Sequence, residues 1–355
     1  GASGRTGDPV PGRPPGRRRR GMLDRGWTRA AGLGVAVLVL GVVVVCSIAY
    51  GAKSISPGTV LDALLRFDGS NDHLIVRSLR VPRTVLGVGV GAGLGLAGAV
   101  MQGVTRNPLA DPGILGVNAG ASLAVVIGIH TFGVGSLTGY VWFAFAGAAV
   151  ASVVVYAVGS LGGGGATPVK LALAGAALSA LLGSFTSAIL LLDLATLDQY
   201  RFWAVGSLAG RDAHIVAQAL PFIGAGAVLA LGCARQLNTL ALADDVARSL
   251  GQRVHLARAG AAVTVVVLCG AAVAAAGPIV FVGLTIPHVA RAICGPDYRW
   301  ILPWSLVLSP ILLLGADVIG RVVARPGELQ VGIVTALVGA PFFVALVRRR
   351  KLVQL

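Results

Sequence analysis

The feature that most constrains this chain is a succession of charge-free apolar stretches, each long enough to cross a bilayer. A helix spanning the hydrocarbon layer needs about 20 mostly apolar residues. Stretches without Asp, Glu, Lys or Arg supply that length repeatedly. They place spans near 33–50, 84–104, 113–132, 138–158, 169–192, 213–234, 256–276, 279–294, 300–320 and 332–347. The third and fourth share the 58 residues between Asp111 and Lys170, and divide at Gly133 to Gly139. The seventh and eighth share the stretch between Arg258 and Arg291, and divide around Gly277-Pro278. The eighth is short and contains Pro287, as a broken helix does where protein or a water-filled cavity surrounds it. Only 12% of residues are charged and 55% are hydrophobic, against roughly 25% charged in soluble proteins. A soluble enzyme, a coiled coil and a disordered chain are excluded for most of this length. The expected fold class is an all-α polytopic membrane protein with about ten transmembrane helices.

Residues 1–29 are rich in Pro, Gly and Arg, with four arginines in a row from Arg17 to Arg20 and no apolar periodicity. They read as a disordered cytoplasmic tail ahead of a membrane domain over 30–355. The chain opens on Gly1 rather than Met, as a trimmed chain does. The apolar run from Leu33 to Tyr50 is long for a signal peptide and more spans follow it, so it reads as the first membrane helix. The net charge of +15 would suggest nucleic acid on a soluble domain. Here it sorts by side. With the N-terminus inside, 20 basic residues fall on the cytoplasmic side and nine outside, while six acidic residues fall inside and eight outside. By the positive-inside rule both termini are cytoplasmic. Lipid, not nucleic acid, is the expected surroundings.

Several segments carry more than hydropathy. Gly87, Gly91 and Gly95 lie four residues apart in the second span and give one face on which another helix can pack closely. No G-x-x-x-x-G-K-[ST] occurs, so any ATP would be bound by another chain. Asn107-Pro108 and Asp111-Pro112 form a structured turn between two spans. The longest cytoplasmic connection contains Leu240 to Gly251, LALADDVARSLG. Asp244 or Asp245 can cap a short helix there and Gly251 can end it. Val246, Ala247 and Leu250 share a face that suits either the bilayer surface or a groove on a cytoplasmic partner.

The block from Gly277 to Arg291, GPIVFVGLTIPHVAR, combines Gly277, Pro278 and Pro287 in a helix break. His288 beside it has no neighbouring His, Cys or carboxylate and reads as a packed residue rather than a ligand. Asp317 lies inside the ninth span, and Arg321 one turn later is a ready ion-pair partner; a proton relay is the other reading. Cys46, Cys233, Cys269 and Cys294 are far apart and read as small buried hydrophobes.

Taken in order, these blocks resemble the FecCD family of ABC-transporter permeases. The matching residues are RVPR (Arg80 to Arg83), the Gly-rich span, NPLADPGILGVNAGA (Asn107 to Ala121), LALADDVARSLG, GPIVFVGLTIPHVAR, ADVIGR (Ala316 to Arg321) and GELQVGIVTALVGAPFF (Gly327 to Phe343). The departure is Gln330, where the family has proline. The resemblance runs from about residue 30 to the end. It implies the permease fold of vitamin B12-type importers, with ten spans per subunit and two subunits, identical or different, around a central pathway in the cytoplasmic membrane. The cargo it implies is a ferric siderophore, with haem or cobalamin as alternatives.

Residues 240–251 then match the coupling helix that docks in an ATPase subunit, through Leu240, Leu242, Asp244, Asp245, Val246, Ala247, Leu250 and Gly251. Arg80, Arg83 and Arg321 match positions that pair with carboxylates of an external binding protein. Asn107, Pro108, Asp111, Pro112, Gly277, Pro278, Pro287, His288, Arg291 and Asp317 match structural motif positions. The chain itself would bind no cofactor or metal, with ATP and Mg²⁺ held by the ATPase. The pathway would be lined by small and apolar side chains of the fifth, eighth and tenth spans. A secondary transporter would instead need paired ionisable groups at the midplane, and an intramembrane enzyme a catalytic cluster; the five histidines form none in sequence.

Overall fold

The computed structural model describes residues 22, 26–162, 167–242, 247, 249 and 253–348. Every regular element among them is helical. In chain order these are α1 (Gly26–Ala49), α2 (Pro57–Leu65), α3 (Asn71–Leu74), a π-helical turn (Ile75–Arg80), α4 (Val81–Thr105), a 3₁₀ turn (Pro112–Leu115), α5 (Val117–Phe132), α6 (Leu137–Ser160), α7 (Pro168–Leu192), α8 (Leu194–Ala204), α9 (Ala213–Gly232), α10 (Ala234–Leu240), α11 (Val254–Ala276), α12 (Val282–Cys294), α13 (Tyr298–Val323) and α14 (Val331–Arg348).

The ten expected spans correspond to α1, α4, α5, α6, α7, α9, α11, α12, α13 and α14. Seven of the helical stretches are long and apolar enough to cross a membrane, while α5, α12 and α14 are shorter apolar helices. The α5/α6 division falls at Gly133, whose positive φ of 63° ends α5. The first helix begins at Gly26, so residues 26–29, assigned above to the tail, are helical. Of residues 1–25 only Met22 is described, its amide bonded to the Ala292 carbonyl.

Short polar side chains set the helix starts. Ser136, Thr167, Asp193, Asp212 and Asp297 accept backbone N–H groups at the starts of α6, α7, α8, α9 and α13. These caps satisfy donors that no helix can satisfy for itself. They fix where each span begins and so which residues reach each membrane boundary.

The architecture is organised around α4, which is buried along nearly all its length against α9, α11, α12 and α13. Its glycines make this possible. A Cβ on Gly91 would lie 2.7 Å from the Pro310 backbone of α13, and one on Gly95 would collide with Ser309. Gly87 faces Leu314 of the same helix. The glycine stripe therefore seats α13, as its four-residue spacing predicts. On another face, a Cβ on Gly98 would collide with the Gly283 carbonyl of α12. That carbonyl lacks its normal helical donor, because residue 287, four positions on, is a proline inside α12. By contrast α1 and α7 expose most of their apolar surface.

Candidate functional site

Three regions position the residues singled out by sequence. The first is an arginine cluster at the end of the bundle where α1 and α13 terminate and α4 begins. Asp317 is fully buried in α13. It accepts from Arg83 Nη2 at 2.7 Å and from Arg83 Nε at 3.1 Å, while Arg321 Nη2 lies 3.0 Å from its other oxygen. Arg83 Nη1 also donates to Glu328 at 2.7 Å.

The remaining donors of this cluster are directed at α1. Arg321 Nη1 bonds the Ser47 and Tyr50 carbonyls, both at 3.0 Å. Arg80 Nη1 bonds the carbonyls of Ile48 and Ala49, and Arg325 Nη2 that of Gly51 at 2.8 Å. The last carbonyls of a helix have no partners within it, and the arginines supply them as cations at its negative end. Ser47 and Thr84 hydroxyls, 2.8 Å apart, join α1 to α4 beneath.

The i, i+4 ion pair between Asp317 and Arg321 is thus present, as the spacing predicts. The arginines expected to meet an external carboxylate are placed differently. Arg80, Arg83 and Arg321 are only 4%, 8% and 1% exposed. Their acceptors are two carboxylates and a helix end of the same chain, and this burial turns them away from the surface. The exposed cations nearby are Lys53, Arg66, Arg77 and Arg325, and α8 adds Arg201.

The second region is a glycine junction at the same end, where α8 ends, α11 breaks into α12 and α14 starts. Ser207 N donates to the Ala276 carbonyl at 2.7 Å, and Gly332 N to the Gly206 carbonyl at 3.1 Å. Gly206 and Gly277 have φ near +75° and pack where a side chain would collide with the Pro278 and Trp203 carbonyls, respectively. Phe281 has φ of 70° without being glycine, a strained conformation, and its ring packs on Gly339 of α14. Below the junction an open groove of about 550 Å³ is lined by Val205, Gly332, Ala336, Leu337, Ala340 and Pro341. It presents small and apolar side chains only.

The third region is the opposite end of the bundle. Leu240, at the close of α10, and Ala247 are buried together with Val254 and Ala257, which open α11. Leu242 is exposed. Asp244, Asp245, Val246, Leu250 and Gly251 lie outside the described residues. Nearby, Asn107 and Asp111 hold the turn after α4: their side chains accept from Leu109 N at 3.0 Å and Gly113 N at 2.8 Å, ahead of Pro108 and Pro112 respectively. Burial pushes the Asp111 carboxyl above its ordinary range.

Arg291, near the end of α12, is buried and donates to Gln102 at 3.3 Å and Tyr298 Oη at 3.2 Å, with Nε and Nη1 unpartnered. The Gln102 partner was not foreseeable, since it lies 189 residues away. His288 is buried beside Phe342, a packed residue as expected.

Two further groups carried no sequence signal. Asp193, between α7 and α8, accepts from Thr196 Oγ1 at 2.6 Å and pairs with His130 Nδ1 at 2.8 Å. The Thr196 hydroxyl and then His130 hold its carboxyl far below the usual range. Arg211, in the loop before α9, is 4% exposed, and burial pushes it down to about 10. Its Nε donates to the Ser207 carbonyl at 3.3 Å. Among the described residues no three His, Cys, Asp or Glu side chains group as metal ligands, and the four cysteines are unpaired.

The FecCD transport family matches residues 38–349. The ferric enterobactin transport system permease protein FepD of Escherichia coli (strain K12) is 49% identical over 324 residues, covering 91% of this chain and 96% of that one. A probable siderophore transport system permease protein, YfiZ of Bacillus subtilis (strain 168), is 43% identical over 313 residues, covering 88% and 94%. Among solved structures, an inward-facing conformation of a metal-chelate type ABC transporter superposes with a TM-score of 0.80 at 28% identity, covering 90% of this chain and 99% of that one.

Proposed function

The chain belongs to the FecCD transport family, and on that premise we propose that it is the permease subunit of an ATP-driven importer that moves a ferric siderophore inward across the cytoplasmic membrane. The observation that carries this reading is the end-to-end match with siderophore permeases. The polytopic helical architecture supports it. Two permease subunits enclose the pathway, and the groove of small side chains along α14 lines it. No residue has to make or break a bond. Cargo passes when the helices rearrange, and ATP with Mg²⁺ acts on a partner ATPase.

The segment 240–251 couples to that ATPase. Leu240 and Ala247 packed on the start of α11 give it a firm base, so a push on the segment is transmitted into α11, which packs on α9 and α6. The arginine cluster lies at the opposite end, where a binding protein delivers cargo. Because Arg80, Arg83 and Arg321 are internally engaged, docking uses the exposed rim around them, including Lys53, Arg66 and Arg325. The reading puts both termini in the cytoplasm, which the charge asymmetry supports.

Two experiments test this. The intact chain should retain a soluble ATPase through purification, and Val246→Asp with Leu250→Asp should release it; retention by the double variant defeats the coupling assignment. Uptake of labelled ferric siderophore should depend on this chain. Uptake unchanged by its deletion rejects the transport function.

A further inference from the structure

A cavity of about 410 Å³ opens at the membrane boundary on the side of the 241–252 connection, between the end of α9, the start of α10 and the first turns of α13. Its walls are Leu231, Gly232, Ala234, Leu302 and Pro303, with Tyr298 at the joint between α10 and α13, and two arginines, Arg235 and Arg299, stand in its lining. Both are solvent-exposed at their residues. Arg235 has no carboxylate within ion-pair distance among the described residues, and Arg299 reaches Asp297 only at 3.9 Å. Asp297 is otherwise engaged, accepting from Asn238 Nδ2 at 2.6 Å and from the Arg299 amide at 3.0 Å. The cavity therefore combines an apolar wall with a net positive rim.

The apolar wall continues onto the exposed face of α9 through Leu231 to Val228 and Leu229. A soluble anion would match the arginines but leave the wall wet. An acidic protein surface would match them as well, but could not follow α9 into the hydrocarbon layer. A molecule with a phosphate at one end and hydrocarbon at the other matches both halves, because basic pockets between membrane helices suit anionic headgroups. We propose that this cavity is a binding site for an anionic phospholipid, its phosphate between Arg235 and Arg299 and its acyl chains along α9. The joint beneath the headgroup is specific. Asn238 of α10 bonds Asp297 and accepts from the Tyr298 amide at 2.9 Å. A lipid seated there braces α10 against α13 immediately ahead of the 241–252 connection.

The test uses the full chain in nanodiscs of equimolar phosphatidylglycerol and phosphatidylcholine, released for native mass spectrometry of the lipids it retains. The wild type should retain phosphatidylglycerol about 30-fold over phosphatidylcholine, because each of the two arginines beside the headgroup contributes roughly fivefold. Arg235→Gln with Arg299→Gln should bring the two lipids to near parity. Arg253→Gln with Arg348→Gln removes the same charge from exposed positions elsewhere and should keep the preference. Melting in phosphatidylcholine alone confirms that each variant is folded. Parity in the wild type, an unchanged preference in the cavity variant, or an equal loss in the other variant overturns the proposal. Displacement of the retained lipid by inorganic phosphate alone would assign the site to a free anion instead and also overturn it.

Discussion

Asp317 and Arg83, 234 residues apart in sequence, meet through a 2.7 Å ion pair that is buried at the end of the bundle. Arg321 approaches the second oxygen of the same carboxylate. One buried negative charge thus serves two guanidinium groups from two helices.

Asp317→Asn would leave both guanidinium groups buried without their shared anion. Removing one partner of a buried pair costs about 3–5 kcal/mol. The variant should unfold at markedly lower denaturant concentration in detergent, or fail to accumulate. Glu328→Gln should cost less than about 1 kcal/mol, since Glu328 is partly exposed and screened. Equal losses in the two variants would show that Asp317 does not hold the cluster together.

Gly98→Ala should separate α4 from α12, because the added methyl collides with the Gly283 carbonyl. Overpacking of this kind costs about 1–3 kcal/mol. Gly224→Ala, in α9 with open space around it, should be neutral or gain up to about 1 kcal/mol from helix propensity. Melting temperatures of the two variants, compared side by side, decide it.

Arg211→Met removes a buried cation that has no carboxylate partner among the described residues. Replacing an uncompensated buried charge with an apolar side chain of similar length is neutral or stabilising. The melting temperature should hold or rise. A fall as large as that of Asp317→Asn would reveal an anion at Arg211.

The Asp193 carboxyl is held below its ordinary range by Thr196 and His130, so its contribution is linked to pH. A carboxylate whose folded-state pKa is depressed adds stability above its unfolded pKa, near 3.9, and loses it as pH falls through the folded value. Asp193→Asn should therefore melt below the wild type at neutral pH. The gap should narrow only as pH falls below about 4. A gap that does not change with pH would assign the loss to packing instead.

Hydropathy made the ten spans legible because crossing a bilayer imposes length and the absence of charge, two properties visible in single residues. The break at Gly277 and Pro278 was legible for a similar reason, since both residues limit the backbone locally. The short helices α2, α3 and α8 were not, because none is long enough to cross a bilayer and polar residues interrupt each. The Asp317–Arg321 pair could be read because its members lie one turn apart. The inward orientation of Arg80 and Arg321 could not, because most of their acceptors are main-chain carbonyls, several of them at the end of α1. A carbonyl is present at every residue and leaves no mark on the sequence. Arg83 needed knowledge of which helices are neighbours before Asp317 and Glu328 could be named.

The tight seating of α4 has a mechanical corollary. With Gly91 against the Pro310 backbone and Gly98 against the Gly283 carbonyl, no clearance remains for α12 or α13 to slide along it. These three helices form a stator, and any rearrangement that opens the bundle has to be carried by the helices around it, α14 and the α5–α7 group foremost. Spin labels on α4 and α13 should keep a constant separation through the transport cycle, while labels on α4 and α14 change theirs; a varying α4–α13 distance would refute the stator.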